Sequence, residues 1–162
     1  EELDPIVAEF ASMCAEKLRR EGSVCREVQT YLFTNRHRED QPQRYETCLQ
    51  VLPEATDSTL EIVRQARIAL RQVFQPGYGY KKAGVILSRI TPASEQQGSL
   101  FSPLDREKHA RLMEALDSVN KLHGKGTLIV AAQGTEPFRM NREHLSPRYT
   151  TNWDELLTIK LQ

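Results

Sequence analysis

Near the start of the chain, apolar side chains return every third or fourth position: Ile6, Val7, Phe10, Cys14 and Leu18 form one stripe. That is the period of an α-helix with one greasy face. Asp4-Pro5 predicts its start, a capping carboxylate before a proline at the first helical position, and Gly22 predicts its stop after Lys17, Arg19 and Arg20. From Val24 to Thr34 the period shortens to two and β-branched and aromatic residues become common, which predicts a strand. Val28 and Leu32 take one side of it; Glu27, Gln29 and Tyr31 take the other. The polar run Asn35 to Gln43, with Pro42 inside it, is expected to be a hairpin loop, and Tyr45 to Leu52 to return as a second strand ended by Pro53. Tyr45, Leu49 and Val51 fall on one side of that strand, with Arg44, Glu46 and Gln50 on the other. One greasy and one wet side mark an antiparallel sheet open to solvent on one face.

Ser58-Thr59-Leu60-Glu61 has the form of a capping box, and Leu60, Val63, Leu70 and Phe74, widened by Ile62, Ala66, Ala69 and Val73, predict a second helix. Pro76-Gly77 ends it, and a strand over 80–90 follows. Helix, strand, strand, helix, strand is a split β-α-β order with its opening strand missing. The predicted class is therefore α+β: an antiparallel sheet with two helices on one face and the other face bare. A bare face carrying Lys, Arg and Gln can lie along a phosphate backbone. Residues 91–104 (TPASEQQGSLFSPL) are small, polar and proline-flanked, hence a linker. Its bulky pair, Leu100-Phe101, is open to two readings: an anchor folding back on the domain, or a peptide offered to a partner's pocket with Gln97 at the rim. Asp105 to Asn120 predicts a third helix with Leu112, Met113, Leu116 and Val119 inward. Gly124 and Gly126 then bracket a turn into a strand over Thr127 to Ala132. The last thirty residues mix Gly134, Pro137, Asn141 and Pro147 with Phe138, Trp153, Leu156 and Leu157, predicting irregular structure with a short final element that needs a surface to pack on.

Composition narrows the function classes. The 162 residues, 39% hydrophobic and 27% charged, fit one good-sized domain or a small domain with an extension. No apolar run approaches the roughly 18 residues that span a bilayer. The chain opens on Glu1 with a helix almost at once, as expected of a piece of a longer polypeptide. Three cysteines, Cys14, Cys25 and Cys48, are odd in number and without a C-x-x-C pair, which fits free thiols in a reducing compartment. The four histidines, His37, His109, His123 and His144, are scattered, and no metal site is expected. Net charge is zero, so no global field draws in nucleic acid. Locally, however, six basic residues lie between Ile62 and Ser94 (Arg64, Arg67, Arg71, Lys81, Lys82 and Arg89) with no acidic one. They form either a solvated helix face and strand edge or a phosphate-facing patch. Gly124-Lys125-Gly126-Thr127 is not a phosphate loop, because Val119 stands where G-x-x-x-x-G-K-[ST] needs its first glycine.

Taken together, these motifs carry a resemblance. The element order closes on Tyr80-Lys81-Lys82-Ala83-Gly84-Val85, and Gln97-x-x-Leu100-Phe101 follows. Further on come Met113-(x)2-Leu116-Asp117-(x)2-Asn120, Gly124-Lys125-Gly126, and Leu145-Ser146-Pro147-Arg148-Tyr149-Thr150-Thr151 followed by Trp153. Over essentially its whole length the chain resembles the C-terminal part of the UmuC branch of the Y-family translesion DNA polymerases. The resemblance implies a little-finger DNA-binding domain over 1–92, lacking its first strand; a linker with a clamp-binding peptide over 93–104; and a UmuC-type extension over 105–162. It implies phosphate contacts by Lys81, Lys82 and Arg89 on the last strand and by Arg26 and Arg44 on the others. Gln97, Leu100 and Phe101 align with the family's sliding-clamp peptide.

The implied partners are primer-template DNA, the sliding clamp, the processed UmuD dimer and the RecA filament, with no membrane, in the bacterial cytoplasm, in SOS mutagenesis and damage bypass. Polymerases of this kind hold two Mg²⁺ ions on paired palm carboxylates, expected upstream of Glu1. Here Glu1 and Glu2 sit at the chain end, Glu39 and Asp40 in the hairpin loop, and Asp105, Asp117, Asp154 and Glu155 in separate elements. The expectation is no catalytic residue and no cofactor in this chain, with Mg²⁺ belonging to the full-length polymerase. A competing reading, favoured by zero net charge and the aromatic-bearing tail, is a protein-interaction module without DNA contact. A ferredoxin-like metabolic enzyme is disfavoured by the lack of clustered titratable residues.

Overall fold

The computed structural model describes residues 2–95, 105–135 and 146–156. Helix α1 (Leu3–Arg20) leads into strands β1 (Ser23–Thr34) and β2 (Tyr45–Thr56), helix α2 (Thr59–Val73), and strands β3 (Tyr80–Ser88) and β4 (Thr91–Pro92). The sheet is antiparallel with order β2-β1-β3, and β4 resumes pairing with the start of β1 through Ser23 and Val24. Both helices cover one face, as the alternation of β1 requires. Val28, Thr30, Leu32 and Thr34 are buried beneath them, and Glu27, Gln29, Tyr31 and Phe33 face the open side. This is the α+β arrangement the hydrophobic pattern predicts.

The core joins Val7, Leu18, Val28, Leu32, Ile62, Val63, Leu70 and Val73. Burying each such side chain contributes about 1.5–3 kcal/mol. Small residues set the helix spacing: Ala8, Ala11 and Ala15 of α1 and Ala66 and Ala69 of α2 are fully buried, while Ile6, Phe10 and Cys14 of the predicted stripe are only half-buried. The buried Thr30 hydroxyl donates to the Ala66 carbonyl at 3.0 Å, so this hydroxyl is not stranded between sheet and helix.

Several local predictions fail for identifiable reasons. Asp4 does not cap α1; the helix begins before it, and Asp4 binds Arg67 of α2 instead, with the Arg67 Nε donating at 2.9 Å. The capping box at Ser58 does not form either. The Thr56 hydroxyl accepts from the Ser58 amide at 3.1 Å, while Glu61 is drawn off to Arg106. Leu60 and Phe74, placed on the α2 stripe by spacing, are exposed at its ends. Pro53 does not end β2, which continues to Thr56; β2 is an edge strand, where proline is tolerated, and its register against β1 slips there. The greasy side of β2 is also inverted: Tyr45, Leu49 and Val51 lie on the open face, while Leu52 is buried in the core and Cys48 packs against it. Pairing sets this outcome, because Phe33 opposes Tyr45 and Gln29 opposes Leu49, so the phase of β2 follows β1 and not its own hydrophobicity.

Helix α3 (Arg106–His123) begins just inside the predicted start, with Asp105 as its cap: the carboxylate accepts from the Lys108 amide at 3.0 Å. It docks across the ends of α1, α2 and β2 through polar contacts. Arg19 grips Asp117 with two 2.7 Å bonds; Arg106 reaches Glu54 at 3.0 Å and Glu61 at 2.6 Å; and Ser58 meets His109 Nδ1 at 3.2 Å. Of the four apolar residues predicted inward, Met113 is buried and Leu112 is exposed, with Leu116 and Val119 between. Gly124 and Gly126 do turn the chain, at φ 103° and 82°. The predicted strand over 127–132 is absent. The Asn120 amide holds Leu128 by a reciprocal pair of 2.8 and 2.9 Å bonds, and Ala131–Gln133 form a 3₁₀ turn against α1. Side-chain bonds here replace a ladder. Trp153, expected to need a packing surface, is 87% exposed in the final 3₁₀ turn, Trp153–Glu155.

Candidate nucleic-acid interface

The hairpin end of the sheet gathers cations and rings. The β1-β2 hairpin is braced from within: the Asn35 side chain accepts from the His37 amide at 3.1 Å, and Gln43 bonds the carbonyls of Arg38 and Gln41 and the hydroxyl of Thr34. This holds Arg36 with its guanidinium 5.7 Å from the centre of the Tyr45 ring. Arg44 lies 5.5 Å from the Tyr78 ring and 3.5 Å from Glu46. Register slips between Phe33 and Thr34, leaving Lys81 as an extra residue between Tyr80 and Lys82, and both lysines are exposed without an ion pair among the described residues. At the hairpin tip Asp40 is paired with Arg38, whose two hydrogen bonds hold the carboxylate below its usual range, and Glu39 beside it is exposed.

The five cations picked from the sequence do not share one place. Lys81, Lys82 and Arg44 belong to the hairpin end. Arg89, seven residues beyond Lys82, is roughly 23 Å away along an extended strand and is paired with Glu27 at 2.9 Å, which also accepts from Ser88. Arg26 sits where β2 slips register and donates to the Leu52 and Pro53 carbonyls at 3.4 and 3.1 Å. Its first task is to satisfy that irregularity. Of the acid-free run, Arg67 is paired with Asp4, and Arg64 and Arg71 lie exposed on α2, on the helical side of the sheet.

The open face is more aromatic and apolar than a bare surface of Lys, Arg and Gln. By register it presents Tyr31, Phe33, Tyr45, Thr47, Lys82 and Gly84 towards the hairpin, and Gln29, Leu49, Val51, Ile86, Glu27 and Ser88 beyond. Sequence reasoning missed Arg36, Phe33, Tyr78 and Gly84. The available signals were an aromatic pair in the solvent phase of β1 and a glycine inside a strand, the mark of close approach by a neighbour. Gln97, Leu100 and Phe101 lie outside the described residues.

Among the described residues no three His, Cys, Asp or Glu side chains come together to hold a metal ion. A cavity of about 930 Å³ opens away from the cations, between α1, α3 and the segment after Gly124, lined in part by Met13, Leu116 and Ile129. No described helix is long and apolar enough to cross a membrane.

Comparison with known proteins adds to this geometry. Residues 1–100 match the impB/mucB/samB family C-terminal domain, and residues 110–159 match a domain of unknown function, DUF4113. The chain is similar to Protein ImpB of Salmonella typhimurium, 37% identical over 157 residues, 96% of this chain and 37% of the relative. It is likewise similar to Protein UmuC of Salmonella typhimurium strain LT2, 36% identical over 162 residues, 99% of this chain and 38% of the relative. To Protein MucB of Escherichia coli it is 32% identical over 162 residues, covering 98% of this chain and 38% of the relative. The chain thus spans under two-fifths of the length of these relatives.

Proposed function

The chain belongs to the impB/mucB/samB family, and from that premise we propose that it is the DNA-gripping C-terminal part of an error-prone translesion DNA polymerase. The observation that carries the reading is the hairpin end of an open-faced sheet, where exposed Lys81 and Lys82 gather with Arg36 on the Tyr45 ring and Arg44 on the Tyr78 ring. A patch of this kind holds phosphates by charge, without reading bases. Arg26 and Arg89 join it only by leaving the carbonyls and the carboxylate that engage them.

In this reading 1–92 is the little finger, 93–104 a linker and 105–162 an extension. Gln97, Leu100 and Phe101 dock on a sliding clamp, and the processed UmuD dimer and the RecA filament are partners of the whole protein in the bacterial cytoplasm. Chemistry and Mg²⁺ belong to a palm outside this chain. A second reading, a protein-interaction module, is favoured by Leu49, Val51 and Ile86, each exposed on the far half of the open face.

Salt-dependent binding to primer-template DNA tests the proposal. The chain should bind weakly, without sequence preference, and with affinity falling steeply as salt rises. Lys81→Gln with Lys82→Gln should lower the log–log salt slope by about two. Binding that is indifferent to salt, or a slope unchanged in the double variant, would sink the grip. Separately, Leu100→Ala with Phe101→Ala should abolish association with the sliding clamp while leaving DNA affinity intact; undiminished clamp binding would remove the tether from the proposal.

A further inference from the structure

The half of the open face nearest the hairpin carries a row of rings. Tyr31 and Phe33 stand two residues apart on β1 with centroids 5.0 Å apart, and Phe33 meets Tyr45 of β2 at 5.6 Å. Tyr31 lies over Gly84 of β3, so the row crosses all three strands. The planes are tilted by 32° and 47° to one another, and Tyr45 is 41% exposed. Cations flank the row: Arg36 at the Tyr45 ring, and Lys82 opposite Phe33. Among the described strand residues no carboxylate faces this half. Glu27 lies at the far end, held by Ser88 and Arg89, and Glu46, opposite buried Leu32, falls on the helical side, while Glu39 and Asp40 stay in the hairpin loop.

Rings and cations do different work on nucleic acid. A duplex buries the faces of its bases, so its backbone offers a protein phosphates and sugars, for which cations suffice. Exposed rings gain from a polyanion only where bases are unpaired and can stack on them, at about 1–3 kcal/mol per base whatever the sequence. We infer that this aromatic row is a stacking platform for unpaired bases of single-stranded DNA, with Arg36 and Lys82 on the adjoining phosphates. The inference rests on the DNA-gripping reading above and names the form of DNA the hairpin end takes. A protein partner is less well matched to this half, because the charges nearest the rings, Arg36 and Lys82, are both cations, whereas the exposed apolar Leu49, Val51 and Ile86 lie beyond it.

Anisotropy titrations of the whole chain with a labelled short oligothymidylate and with a blunt duplex of matched length provide the test. Tyr45→Leu should weaken single-strand binding about tenfold and duplex binding much less, by what Arg36 loses when the ring it rests on is gone. Tyr45→Phe, which keeps the ring and loses the hydroxyl, should match the parent on both. Phe33→Leu should repeat the Tyr45→Leu pattern. Equal losses on both forms, or no loss on either as a protein-facing row would give, overturn the inference. A parent chain that binds duplex but not the single strand overturns it while the grip stands; a chain that binds neither removes the grip and the platform together.

Discussion

The ring of Tyr31 lies over the backbone of Gly84, its partner in the register between β1 and β3. A β-carbon at Gly84 would come within 2.7 Å of Tyr31 Cε1 and closer still to the hydroxyl end of the ring. The glycine is therefore buried on a face that is otherwise open, covered by one side chain from the adjacent strand.

Gly84→Ala should displace that ring, because an ordinary backbone leaves the added methyl nowhere else to go. A destabilisation of about 1–3 kcal/mol is expected, as for other overpacked sites, read as a lower denaturant midpoint. Gly84→Ala combined with Tyr31→Ala should recover most of the loss, since the clash needs both partners. A double variant no more stable than the single one would show that the ring is not what Gly84 accommodates.

Docking of α3 rests on charge more than on apolar burial. The Arg19 side chain is 10% exposed and its grip on Asp117 is bidentate, with further bonds to the Asp57 carbonyl and the Thr59 hydroxyl. Removing one partner of such a pair leaves a largely buried cation short of its counter-charge. Asp117→Ala should cost about 1–3 kcal/mol and speed amide exchange across 106–123 well ahead of α1 and α2. Exchange rising equally in all three helices would mean that α3 is not a separately releasable element.

Alkaline pH should destabilise the chain partly through Cys25. Burial pushes this thiol from its ordinary 9.0 up to about 12, and burial raises Cys14 as well. Below the ordinary value both folded and unfolded chains carry neutral Cys25, which then adds no pH dependence. Above it the unfolded chain releases the proton and the folded chain keeps it, so stability falls as pH rises through that window. Cys25→Ala should flatten the decline of unfolding free energy above pH 9.0. An unchanged slope would show that other groups account for it.

Periodicity alone carried the element order from α1 to β3, the class and the core face of β1, because β1 is the central strand and both helices press on one of its sides. It carried the third helix by the same apolar spacing, while the Asp105 cap went unread although a cap is chemistry between residues a few positions apart. It could not carry the orientation of β2, where Tyr45, Leu49 and Val51 look like core until pairing with β1 turns them outward. Nor could it foresee that Glu61 and Asp4, each well placed for a local helical role, would be claimed by Arg106 and Arg67 from other elements. The candidate site divides along the same line. Lys81 and Lys82 are visible as a basic pair in any reading of the chain, but the hairpin that brings Arg36 to Tyr45, and the register that sets Tyr31 over Gly84, join residues distant in sequence. Local spacing determines what one helix or strand can do by itself; which side chains meet across strands, and which charges are already taken, is decided only when the packed chain closes those distances.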